Sequence, residues 1–85
     1  MASICKWVSM DPVNAEFVEL LTNRAIKISR NPETTHCRFR DLITDEIIIE
    51  TSSVKEEDIV KGDRTMTVTT SNTTYVFEII GNTID

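Results

Sequence analysis

The side chains in this 85-residue chain that are able to do chemistry are few and far apart: one histidine, His36, two cysteines, Cys5 and Cys37, and several carboxylates. Nucleophilic catalysis needs a thiol or hydroxyl beside a histidine and an orienting acid. His36 and Cys37 adjoin in a stretch that alternates like a strand, so they point to opposite faces and cannot form a dyad with each other. Nothing in the sequence argues for bringing Cys5 to His36. One histidine with two distant cysteines matches no zinc pattern. Neither Lys55-Glu56-Glu57-Asp58 nor Asp41 with Asp45 has the alternating ligands and central glycine of a calcium loop. The two glycines, Gly62 and Gly81, make no phosphate loop. A paired-carboxylate hydrolase needs a cleft, which so small a domain rarely provides. The expectation is a non-enzymatic protein without metal, cofactor or catalytic residue.

Binding is the remaining class, and three sets of side chains are candidates for it. The acidic residues Glu46, Glu50, Glu56, Glu57, Asp58 and Asp63 fall in one sequence region of a chain whose formal net charge is -5. They would suit a protein partner with a basic surface, where complementary charge speeds association; a merely solvated acidic surface is the plainer reading. The second set is Thr65, Thr67 and Thr69 within RTMTVTTSNTTYVFEII, Arg64 to Ile80. Threonine forms strands and tolerates water, so a solvated sheet face explains them. A flat, weakly charged β-face is also cheap to desolvate against a partner. The third set, His36, Arg38 and Arg40, makes a local cationic stripe suited to nucleic acid. No aromatic side chain interleaves with it, and the net charge repels phosphate, so nucleic acid is not the expected ligand.

The elements that must position these residues are mostly strands. Asp11-Pro12 reads as a helix start, and Val13, Phe17, Leu20 and Leu21 make an apolar stripe from Pro12 to about Arg24. Ser3 to Val8 and Ala25 to Ile28 read as short strands on either side. Beyond Pro32, His36 to Arg40 alternates with period two, and Glu46 to Thr51 is β-branched and apolar on both faces, as a strand central in the sheet or covered by the helix would be. A short strand at Ile59-Val60 precedes the turn Lys61-Gly62-Asp63. Met66 and Val68 should then face the core with Tyr75, Phe77 and Ile79, across a turn at Ser71-Asn72. Phe17, Leu21, Phe39, Ile47, Val68, Tyr75 and Phe77 are the expected core. The expected fold is a single α+β domain over residues 1–85, with one N-terminal amphipathic helix packed on a small, mostly antiparallel sheet or partly open barrel of about five strands.

Thr51-Ser52-Ser53-Val54, then Thr67-Val68-Thr69, Asn72-Thr73 and Tyr75-Val76-Phe77, follow a pattern of the form T-S-x-V, V-x-T, N/S-S/T-x-Y-x-hydrophobic. It resembles that of short bacterial and phage proteins of unknown function that form a small twisted sheet. The resemblance covers only the C-terminal 35 or so residues, with a longer and more charged segment between Val54 and Met66. It implies a small β-roll or barrel and a microbial or phage origin, and it transfers no catalytic residue.

No apolar run approaches the roughly 20 residues that span a bilayer, and the first residues lack the pattern of a secretion signal. Two cysteines without such a signal read as reduced, mostly buried thiols. Asn72-Thr73-Thr74 fits a glycosylation acceptor, but that matters only in a secreted chain. The expectation is a cytoplasmic protein, in the host cytoplasm if phage-encoded. Its expected role is a small inhibitor or regulator, from a phage or mobile element, that engages a host defence or nucleic-acid-handling protein through its acidic surface. The alternatives are a nucleic-acid-binding barrel using the basic strand face, or a structural subunit that self-assembles, for instance as a homodimer through a sheet edge.

Overall fold

The computed structural model describes residues 3–82. Its seven strands are β1 (Ser3–Asp11), β2 (Ala25–Arg30), β3 (His36–Asp41), β4 (Ile47–Ser53), β5 (Ile59–Lys61), β6 (Thr65–Thr69) and β7 (Thr74–Asn82). All pair antiparallel in one sheet of order β4-β3-β2-β1-β7-β6-β5. Two meanders, β1–β4 and β5–β7, are thus sewn together by the long pairing of β1 with β7.

A flat sheet of this order is physically impossible. Strands lie about 4.8 Å apart, so the edge strands β4 and β5 would be separated by about 29 Å. The chain from Ser53 to Ile59 reaches about 21 Å at most. The sheet must therefore curl until its edges approach, and the core confirms that it does. Phe39 on β3 and Phe77 on β7 would stand about 14 Å apart in a flat sheet, yet their rings meet edge to face at 5.1 Å, and Phe39 meets Tyr75 at the same distance. The concave side holds Cys5, Ile26, Ile28, Cys37, Phe39, Ile49, Met66, Val68, Tyr75 and Phe77. Alternation along β3, β6 and β7 places these residues inside, as their period-two pattern predicts.

The α+β expectation is overturned: the chain is 56% strand and 12% helical, with seven strands rather than five and a helix that does not form a layer. The α-helix, α1 (Ala15–Leu21), is only seven residues long. It starts later than Asp11-Pro12 suggests because Met10 and Asp11 are held in β1, opposite Tyr75 and Thr74. The cap is Asn14, whose Oδ1 accepts the amides of Glu16 and Phe17 at 3.0 and 3.3 Å. Val13, placed by the sequence pattern on the apolar stripe, is left exposed. The helix ends at Thr22, whose amide and hydroxyl both donate to the Val18 carbonyl. Leu21 is buried, and Phe17 and Val18 pack against the core from the connection between β1 and β2.

A second correction concerns β4. It is an edge strand rather than a covered one, and Ile47 is exposed while Ile49 takes the core position opposite Phe39. The cause is a register shift: Phe39 and Arg40 are neighbours on β3, but their partners Ile49 and Ile47 are two residues apart, so β4 carries an extra residue there.

Candidate functional site

Outward-facing residues of β6 and β7 follow from the buried ones. With Met66, Val68, Tyr75 and Phe77 inside, Thr65, Thr67, Thr69, Val76, Glu78 and Ile80 face out. Register then sets Val60, Thr67, Val76 and Ser9 opposite one another, in one row across β5, β6, β7 and β1. Val60 is 60% exposed and Ile80 54%, and Val8, at a register shift beside Ser9, is 52% exposed. The next row carries Thr65, Glu78 and Lys6. The convex side of this half of the sheet is therefore an open face of valine, isoleucine and threonine with little charge at its centre.

The threonines also have a local task at the end of that face. The Thr70 hydroxyl accepts the amides of Asn72 and Thr73, and the Thr70 amide donates to the Thr73 carbonyl at 2.8 Å, closing the β6–β7 turn. Their abundance thus has a structural cause at Thr70 and Thr73 and an exposed-face cause at Thr65 and Thr67.

The acidic residues do not stay together. Glu50 is drawn into an ion pair with Arg38 at 2.6 Å on the outer face of β3 and β4, and Glu46 sits exposed in the β3–β4 turn. Glu56, Glu57 and Asp58 form a single 3₁₀ turn in the crossover from β4 to β5, beside β6. Asp63 lies in the turn that leads into β6. None of these last four takes part in the four ion pairs among the described residues. Glu56, Glu57, Asp58 and Asp63 therefore fringe the threonine strand, while Glu46 and Glu50 belong to the opposite half of the sheet.

The cationic stripe lies on the outer face of β3 as its alternation predicts, but its charges are engaged. Arg38 is held by Glu50, and Arg40 lies 3.8 Å from the Asp45 carboxylate and donates to the Asp45 carbonyl. His36 Nδ1 is 2.7 Å from the Thr51 carbonyl oxygen. Nearby, Asp41 is a structural carboxylate. Amides of Thr44 and Ile43 and the Arg24 guanidinium all donate to it, and the Thr44 amide foremost, then Arg24, holds its carboxyl below the ordinary range. Cys5 and Cys37 are buried and unpaired with each other, and desolvation pushes both thiols up to about 11. Among the described residues no three metal-ligating side chains come together, and no helix is long and apolar enough to cross a membrane.

Both sheet edges are guarded. β5 is three residues long, and β4 carries an extra residue at two places. Near the second, the Thr51 hydroxyl takes the amide of Cys37 at 3.1 Å. Short and bulged edges are poor templates for another strand.

The sequence reading missed the apolar members of the open face, Val8, Val60, Val76 and Ile80. The signal was present in Thr67 alone: its neighbours across the sheet are valines, but that depends on which strands pair. Protein-family models, curated proteins and solved structures all return no match to this chain.

Proposed function

We propose that this protein is a small non-enzymatic regulator or inhibitor that binds a partner protein with a basic surface through the convex face of β5, β6, β7 and β1. The observation that carries the reading is the row Val60–Thr67–Val76 with exposed Val8 and Ile80 nearby, and with Glu56, Glu57, Asp58 and Asp63 along its margin, none of them in an ion pair among the described residues. A weakly polar centre with a charged rim is the usual anatomy of a protein interface. The rim steers a basic partner, and the centre contributes apolar burial and is cheap to desolvate. A net charge of -5 favours partners whose own surface is basic, as nucleic-acid-handling proteins are. The C-terminal resemblance to short bacterial and phage proteins supports a phage or mobile-element origin and a host protein as target. Buried free thiols fit a reducing compartment such as the cytoplasm. The basic strand face is the weaker interface, since Arg38 and Arg40 already have carboxylate partners.

The test is affinity capture from bacterial lysate with the parent protein and with the Glu56→Lys, Glu57→Lys, Asp58→Lys triple variant. The expected result is a basic protein retained by the parent, released as salt rises, and lost from a variant whose melting is nearly unchanged. Retention that survives the triple reversal at every salt concentration, or no specific retention at all, contradicts the reading.

A further inference from the structure

The curled sheet leaves a seam where the crossover and β5 approach the ends of β1 and β2, and an open recess of about 550 Å³ lies in it. Its lining combines the apolar side chains of Ile28, Ile59 and Met66 with three charges, Arg30, Lys61 and Glu56. Arg30 follows Ile26 and Ile28 on β2 in the inward phase, so it emerges at the mouth of the core. Its Nε donates to the Val54 carbonyl at 2.7 Å, which fixes the guanidinium against the crossover. Neither Arg30 nor Lys61 forms an ion pair among the described residues, although Arg38, Arg40 and Arg24 all do. Lys61 Nζ is instead 3.4 Å from the Asn82 side-chain oxygen.

We infer that this seam recess is a binding site for a carboxylate carried on a short aliphatic group. Two cations against the single carboxylate of Glu56 leave one net positive charge, which matches a monoanion and not a phosphate dianion. A guanidinium already held through Nε presents its remaining N–H groups in the planar fork that fits a carboxylate. Ile28, Ile59 and Met66 supply the apolar floor for the attached group. Such a carboxylate comes either from a small aliphatic acid or from the C-terminus of a peptide ending in an aliphatic residue. The recess opens on the inward side of β5 and shares only Glu56 with the margin of the convex face, so its test uses the parent protein and does not depend on whether that face binds a protein.

The experiment is a methyl-resolved NMR titration of the intact protein with four probes: N-acetyl-Val-Leu with a free carboxylate, the same peptide as its C-terminal amide, isovalerate, and inorganic phosphate. The free-acid peptide should saturate shifts of the Ile28, Ile59 and Met66 methyls, and the amide should not. If isovalerate saturates the same methyls, a small acid suffices; if only the peptide does, the site reads a peptide terminus. Arg30→Gln, which keeps a donor near Val54, should weaken binding by about tenfold or more. The comparison of acid with amide uses the unaltered protein and holds even if that variant folds poorly. The inference is overturned if no carboxylate gives saturable shifts at these methyls, if the amide binds as well as the acid, or if phosphate binds more tightly than either carboxylate.

Discussion

Cys5 and Cys37 illustrate how a residue's neighbours decide its chemistry. Each lies inside the curl with its thiol pushed to about 11, chiefly by desolvation. The thiolate is the reactive form, so both should be inert in the folded protein at neutral pH. Reaction with a thiol reagent at pH 8 is expected to be slow in buffer and to release two equivalents promptly in denaturant. The sign of the pH effect follows. The folded thiols titrate above the ordinary value of 9.0, so the unfolded chain loses its protons first, and stability should fall as pH rises from about 9 toward 11. Fast modification of either thiol without unfolding would contradict their placement. Much at this scale was legible beforehand. Period-two alternation assigned inside and outside correctly for Cys37, Phe39, Met66, Val68, Tyr75 and Phe77. It failed at Ile47, because three consecutive isoleucines carry no phase and the extra residue in β4 chooses Ile49 instead. It could not show that Arg38 would be spent on Glu50, since that pairing depends on strand register.

Among the elements, the helix shows tertiary pairing overriding local pattern. Asp11-Pro12 has the chemistry of a helix start, but β1 runs on through Asp11 because Met10 packs inside, opposite Tyr75. Asn14 then caps a helix shorter than its apolar stripe suggests. Asn14→Ala should lower stability by about 1 kcal/mol in a denaturant titration, the usual cost of losing such a cap. Asp11→Ala should cost less. The reverse order would return the helix start to Asp11. All seven strands had recognisable sequence stretches, yet a five-strand sheet was expected. The stretch at Ile59-Val60 reads as a strand, but nothing in the sequence shows that all seven stretches join one sheet, and the helix was given the weight of a layer.

For the whole molecule, the decisive feature is the pairing of β1 with β7, between opposite ends of the sequence. No local pattern signals it, and it creates both the curl and the outer face. The β5–β7 meander aligns Val60, Thr67 and Val76, and the β1–β7 pairing extends that row to Ser9 and widens it into a face. The candidate acids were legible as charges, but their division between Glu46 and Glu50 on one half and Glu56, Glu57, Asp58 and Asp63 on the other depends on the crossover. The most direct measurement is therefore made at the centre of the row, on Thr67→Lys, taking its melting temperature together with its affinity for the basic protein that the parent retains. An outward-facing threonine in a docking face predicts stability within about 0.5 kcal/mol of the parent and binding weaker by a few kcal/mol, because the lysine charge is buried against the partner without a counter-ion. Unchanged affinity in a folded Thr67→Lys protein would contradict the face as the binding surface.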